Sequence, residues 1–99
     1  MTVNKTQNGD RLTLSLSGRL DTTTAPVLQE ALIPEFDGAK QIELDFSGLS
    51  YVSSAGLRVL LMGEKTAKAK GAKQILTNVS ADIMDVLEIT GFSGILHIE

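Results

Sequence analysis

Phe46–Leu61, FSGLSYVSSAGLRVLL, reads as the end of a strand, a turn and the start of a helix. At its centre stand two adjacent hydroxyls, Ser53 and Ser54, followed by Ala55 and Gly56. The first amide N–H groups of a helix have no intrahelical partner. The aligned peptide dipoles place roughly half a positive charge at that end. A helix start flanked by small residues is therefore an electropositive, uncluttered corner suited to an anion, including a phosphate carried on serine. Ser53 is placed to cap the helix. Ser54 stands one step further in, where its hydroxyl is free to face solvent.

Outward from this corner, the spacing predicts alternating strands and helices. Upstream, Ile42, Leu44 and Phe46 alternate with Glu43 and Asp45, which predicts a strand over Gln41–Phe46. Downstream, the helix is expected from Ser54 to about Lys70, stopped by Gly71. Leu57, Leu60, Leu61 and Ala67 fall on one side of it, and Arg58, Lys65 and Lys68 on another. Near the amino terminus, Asn8-Gly9 marks a hairpin turn. It lies between Val3–Gln7, a weak strand candidate, and a strand in which Leu12, Leu14 and Leu16 alternate with Thr13, Ser15 and Ser17 up to Gly18. Thr24 and Pro26 open a first helix, with Leu28, Ala31, Leu32 and Phe36 on its core side. Pro34 should end or kink it near Ile33, and Asp37-Gly38 turns the chain. Gln74–Val79 reads as a strand. Ser80 then caps a helix with Ile83, Val86 and Leu87 inward and Gly91 at a left-handed end. Ile95–Ile98 reads as a short last strand. The expected order is β-β-α-β-α-β-α-β: an α/β domain with a mixed sheet, an N-terminal hairpin followed by largely parallel strands, and helices packed on it.

Composition narrows the function. The 99 residues fit one domain spanning 1–99. The formal net charge is −3, which argues against a nucleic-acid partner, since such a partner calls for a basic face. Without cysteine there is no disulfide or thiolate chemistry, and the single histidine, His97, has no second histidine to join it as a metal ligand. Neither a metal nor a cofactor is expected. No secretory apolar segment opens the chain and no run approaches membrane-spanning length, so the expectation is a cytoplasmic protein without a membrane partner.

An enzyme is not expected. Ser53-Ser54-Ala55-Gly56 is not a nucleophile elbow, and the one histidine follows the last helix. Gly63-Glu64-Lys65-Thr66 has the tail of a phosphate-binding loop but lacks its upstream glycine and falls within a helix. A phosphoacceptor receiver domain would need an acidic pair after an early strand, and none is present.

Four segments together carry a family resemblance: Gly18-Arg19-Leu20-Asp21, Leu44–Leu49 (LDFSGL), Tyr51–Leu57 (YVSSAGL) and Leu87–Phe92 (LEITGF). In this order the chain resembles the STAS domain family (sulphate transporter and anti-sigma factor antagonist), and within it the small stand-alone anti-sigma factor antagonists. The resemblance covers nearly the whole chain and implies a STAS-like sheet. It implies partner switching: the unmodified domain binds an anti-sigma factor that is also an ATP-dependent serine kinase, phosphorylation on Ser54 releases it, and a serine phosphatase resets the domain. Ser54 is the acceptor. Partner contact is expected from Asp21, Ser53, Gly56, Leu57 and Arg58, with Gly56 giving clearance and Leu57 and Arg58 forming the adjacent docking surface. Asp21 reads equally as a cap of the next helix. The family's acidic residue before the acceptor is Ser53 here, and its usual final helix is absent from a chain that reads as a compact variant. A monomer is the simplest expectation. The alternative is a STAS-like scaffold or adaptor subunit that binds its partner without phosphorylation.

Overall fold

The computed structural model covers residues 1–99. Its elements are β1 (Thr2–Asn8), β2 (Arg11–Leu20), α1 (Ala25–Leu32), β3 (Gln41–Val52), α2 (Ser54–Ala69), β4 (Lys73–Thr77) and α3 (Ala81–Ile89). Short 3-10 turns follow α1 (Ile33–Asp37) and α3 (Phe92–Gly94). The strands lie in the order β1-β2-β3-β4. β1 pairs antiparallel with β2, and β2, β3 and β4 pair in parallel. Each crossover between neighbouring parallel strands moves the chain one position in the same direction. Right-handed connections then stack successive helices over one face of the sheet.

The core follows from that arrangement. One cluster of 22 buried residues takes Leu12, Leu14, Leu16 and Leu20 from β2 and Ile42, Leu44, Phe46, Leu49 and Val52 from β3. It takes Leu28 and Leu32 from α1, Leu57 and Leu60 from α2, and Ile83 and Leu87 from α3. All three helices thus share one core with one sheet face, while Thr13, Ser15, Ser17, Glu43 and Asp45 remain half-buried on the other.

The hairpin turn sits one residue later than Asn8-Gly9 suggested. Asn8 pairs with Arg11, so the two-residue loop is Gly9-Asp10, with Gly9 at φ 64° in its first position. A glycine there suits the primed turns that match strand twist. β2 also runs past Gly18, which the chain passes at φ 94°, to Leu20. Pro34 acts as expected: α1 ends at Leu32 and a 3-10 turn buries Phe36.

β3 departs most from expectation. It continues six residues beyond Phe46, to Val52. The register with β2 slips twice, between Ser15 and Ser17 and between Gly18 and Arg19, and each slip gives β3 one extra residue. Two β-bulges therefore reset the alternation, so that residues 46, 49 and 52 all face the core although they are three apart. Gly48 fits the first bulge because a Cβ there would lie 2.9 Å from the Leu16 carbonyl oxygen. At the second, the Ser50 hydroxyl donates to the Gly18 carbonyl at 3.0 Å.

At the carboxyl end, α3 is capped by the Ser80 hydroxyl, which accepts from Ile83 N at 3.2 Å, and Gly91 takes φ 82°. The expected last strand, Ile95–Ile98, is reduced to a single parallel bridge between Ile98 and Leu76. Leu76 N donates to the His97 carbonyl and Glu99 N to the Leu76 carbonyl, both at 2.9 Å. The segment lies beside β4 and pairs with it at this one position.

Candidate functional site

β2 and β3 end side by side, and the two strand-to-helix corners that follow them are neighbours. Leu20 pairs with Val52 and Arg19 with Tyr51, while Ser53 N donates to the Leu20 carbonyl at 2.8 Å. The chain then enters α2. Ser53 holds extended backbone (φ −92°, ψ 174°), and its hydroxyl accepts from Gly56 N at 3.3 Å. Ser53 is the cap, as the sequence suggested. Ser54 opens the helix with its side chain exposed and its hydroxyl in no hydrogen bond within the protein. That oxygen is free to accept a modifying group without loss of any internal contact.

Two of the expected docking residues sit elsewhere. Gly56 is buried, and a Cβ on it would lie 2.6 Å from Leu20 Cγ and 2.9 Å from Leu20 Cδ2. Its missing side chain brings α2 close to the end of β2, so the clearance it provides is internal and not for a partner. Leu57 is 5 % exposed and belongs to the core, so it forms no docking surface. Both lie on the inner side of the helix, where α2 packs against Leu20 and the sheet.

Arg58 is exposed one turn beyond Ser54. With Leu61, Met62 and Lys65 it lines a shallow surface groove of about 210 Å³ along α2. Leu61, expected in the core, lines this groove instead and is only half-buried. Gly63 and Glu64 lie on the buried side of the helix, and a Cβ on Gly63 would overlap the Gln74 side chain. The Gly63–Thr66 stretch thus packs and cradles no phosphate.

The neighbouring corner, Asp21–Ala25, is closed. Asp21 Oδ1 accepts from Thr23 N (3.0 Å), Thr24 N (3.1 Å) and Thr23 Oγ1 (2.7 Å), with Thr24 Oγ1 3.2 Å away. The Thr23 hydroxyl bond, aided by the two backbone bonds and opposed by desolvation, holds the Asp21 carboxyl below its ordinary value of 3.8. Thr24, expected as the cap, instead donates its hydroxyl to the Arg19 carbonyl at 2.7 Å and accepts from Asp21 N at 2.8 Å. Asp21 therefore organises the turn before α1. Its Oδ2 faces Arg19 Nε at 3.8 Å.

The Arg19 guanidinium lies over the Tyr51 ring, 4.1 Å from its centroid. This pair, absent from the sequence reading, sits between the two corners. Leu20 and Val52 are the last core residues of adjacent parallel strands, and that signal places the residues before them side by side. A second acidic site lies at the far end of β4. Asp45 Oδ1 accepts from Asn78 Nδ2 and Ser47 N, each at 2.9 Å. The Asn78 bond, followed by the Ser47 backbone bond, lowers the Asp45 carboxyl from its ordinary value.

A family model described as Mlab, STAS domain, matches residues 3–97. The chain belongs to the STAS domain family. The STAS resemblance seen in the four segments is thus borne out, as is the mixed sheet with helices packed on it. Among relatives, the anti-sigma-B factor antagonist of Bacillus subtilis strain 168 is 30 % identical over 92 residues, covering 93 % of this chain and 84 % of the relative. Among solved structures, the anti-sigma factor antagonist SpoIIAA in its unphosphorylated form superposes with a TM-score of 0.84 at 18 % identity, over 99 % of this chain and 88 % of that one. The phosphorylated form of Bacillus SpoIIAA superposes with a TM-score of 0.78, over 99 % of this chain and 91 % of that one. At 18 % identity these two speak to the fold alone.

Proposed function

We propose that this STAS domain is an anti-sigma factor antagonist that works by partner switching and carries no catalysis of its own. Unmodified, it binds an anti-sigma factor that is also a serine kinase. The kinase transfers the γ-phosphoryl group of ATP to Ser54 Oγ, forming the phosphoester and releasing ADP and the hydroxyl proton. The complex then dissociates, and a serine phosphatase hydrolyses the ester to restore the binding form. The cycle runs in the cytoplasm, where ATP is at hand.

The observation that carries this reading is the exposed, unbonded hydroxyl of Ser54 in the first turn of a four-turn helix already capped by Ser53. A phosphoserine there adds about −1.5 to −2 charges at neutral pH. The helix terminus stabilises such an anion by roughly 0.3–1 kcal/mol, so the fold accommodates it. A partner that must desolvate the corner does not. A hundredfold loss of affinity corresponds to about 2.8 kcal/mol, within the cost of burying an unpaired charge. Arg58 and the Arg19–Tyr51 pair flank Ser54 and Asp21 as the exposed contact residues.

The test is incubation with ATP and the cognate anti-sigma kinase, followed by mass-spectrometric mapping and a binding titration. Phosphate is expected on Ser54 alone. Ser54→Ala should bind and resist modification, and Ser54→Asp should bind at least about a hundredfold more weakly. A scaffold subunit that binds without phosphorylation is the second reading, favoured by Ser53 standing where the family resemblance carries an acidic residue. It is preferred if no phosphate reaches Ser54 and Ser54→Asp binds like the parent.

A further inference from the structure

One exposed stripe of α2 runs Ser54, Arg58, Leu61, Met62 and Lys65. Its charge is one-sided. Arg58 and Lys65 enter no ion pair, whereas Lys68 faces Glu64 at 4.0 Å and Lys70 faces Asp37 at 2.9 Å. The only acidic residue of α2, Glu64, is 8 % exposed and turned inward. A protein of net charge −3 thus presents here two unpaired cations at the ends of an apolar floor. They stand seven residues apart, about 10.5 Å along the helix axis. The floor includes a methionine, whose flexible thioether adapts to whatever packs on it.

We propose that this stripe seats an acidic amphipathic helix of the partner, with one carboxylate on Arg58, another on Lys65 and an apolar side chain on Leu61 and Met62. We further assign to Arg58 a part in release from this seat: a phosphate on Ser54 captures it, an effect of about two- to fivefold that adds to the larger cost a partner meets in desolvating the phosphate itself. This rests on the partner-switching reading of Ser54 and specifies how that site is regulated. Residues four apart on a helix are neighbours, and the pair is most favourable when the acid precedes the base. Ser54 precedes Arg58 by four. The guanidinium fork takes phosphate and carboxylate alike by two parallel bonds, but the phosphate carries about −1.5 to −2 charges and stands on the same helix, which a partner's singly charged carboxylate must compete against. Lys65 lies eleven residues from Ser54, about 16 Å along the axis and beyond a Debye length of about 8 Å at physiological salt, so the phosphate leaves it untouched. A second copy of this chain offers an acidic face too, on α3, where Asp82, Asp85 and Glu88 are exposed beside Ile89 at 85 %. That contact is head-to-tail and propagates instead of closing, which disfavours it for a discrete complex.

The capture step is tested without any kinase, on the full chain carrying phosphoserine at position 54 by semisynthesis. In ³¹P titrations the phosphate of the parent is expected to ionise roughly 0.2–0.4 pH unit lower than that of Arg58→Gln, with Lys65→Gln matching the parent. Superimposable curves for the parent and Arg58→Gln overturn the capture. The seat is tested by titrating the ¹⁵N-labelled, unmodified chain with a synthetic helical 15-residue peptide bearing two glutamates seven residues apart around a pair of leucines. Shifts are expected at Arg58, Leu61, Met62 and Lys65. Arg58→Gln and Lys65→Gln should each weaken binding about two- to fivefold, as exposed ion pairs do. Phosphorylation should weaken the parent and Lys65→Gln but add little to Arg58→Gln. Additive effects of phosphate and Arg58→Gln overturn the part of Arg58 in release. Absent or scattered shifts overturn the seat. So does retention on phosphatidylglycerol vesicles in place of the peptide, or self-association lost in Lys65→Glu. Phosphorylation of Ser54 by its kinase stands or falls separately, since none of these measurements uses one.

Discussion

Two strand-to-helix corners stand side by side at the carboxyl ends of the two central strands, and they use their polar groups in opposite ways. At Asp21–Ala25 the turn draws in the polar side chains of Asp21, Thr23 and Thr24, with only the exposed Thr22 hydroxyl outside the network. The Asp21 carboxylate accepts from two backbone amides and the Thr23 hydroxyl, and the Thr24 hydroxyl ties the turn back to the Arg19 carbonyl. At Val52–Leu57 the work is divided. Ser53 caps the helix, Gly56 lets it sit against Leu20, and Ser54 is left with no internal duty. The difference teaches that a hydroxyl becomes available for chemistry when its neighbours complete the fold without it. Adjacent serines are therefore not interchangeable: one belongs to the helix and the other to solvent.

The largest effect comes from disturbing how the open corner is anchored. Gly56→Val forces a branched side chain into Leu20, which is fully buried, and into its carbonyl, 3.2 Å from where a Cβ would stand. Overpacking of this kind is expected to cost about 3 kcal/mol. For a domain of this length each kcal/mol lowers the melting temperature by about 4–8 °C. A thermal melt close to that of the parent would mean that Gly56 does not set the approach of α2 to β2. The two serines differ by less. Ser53→Ala removes the acceptor for Gly56 N and is expected to cost about 1 kcal/mol in urea unfolding. Ser54→Ala should stay within about 0.5 kcal/mol of the parent, as exposed substitutions do. Equal losses at the two positions would erase the division of labour on which the availability of Ser54 depends.

The alternation of Leu12, Leu14 and Leu16 placed β2, and the caps Ser53 and Ser80 placed two helices, because these signals are local and periodic. The exit of β3 was not legible for a physical reason. Phe46, Leu49 and Val52 recur every third residue, a spacing that belongs neither to a regular strand nor to a loop. Only pairing with β2, which bulges β3 twice, brings them to one face. The inner side of α2 was half legible. Leu57 and Leu60 follow the helical period, but whether Gly56 or Leu61 continues that side depends on where the sheet lies, which no single helix encodes. The open helix start was readable in the two serines. At the closed corner the sequence offered both Thr24 and Asp21 as caps, and the four-residue turn gives the role to Asp21, three positions earlier. The Arg19–Tyr51 contact joins residues 32 apart through strand register and has no local signal.

The smallest effect separates the corners by pH. Asp21 is titratable and its carboxyl lies below the ordinary value of 3.8 in the folded chain, chiefly through the Thr23 hydroxyl. A depressed folded pKa means that the unfolded chain binds more protons through this range, so stability rises with pH there. The contribution of the ionised carboxylate is complete above the unfolded value and is lost as pH falls through the folded one. Asp21→Asn keeps an acceptor oxygen but has no charge to lose. It is therefore expected to be less stable than the parent at pH 7 and to converge on it as both are acidified from pH 5 to pH 2. Ser53→Ala has no such group, so its deficit should remain constant over the same span. Chemical unfolding of the three proteins across that series checks both curves. A deficit for Asp21→Asn that does not shrink on acidification would show that the closed corner is held by the shape of its hydrogen bonds and owes nothing to charge. The corners would then differ in occupancy but not in electrostatics, leaving the helix dipole and the free hydroxyl of Ser54 as the whole of their distinction.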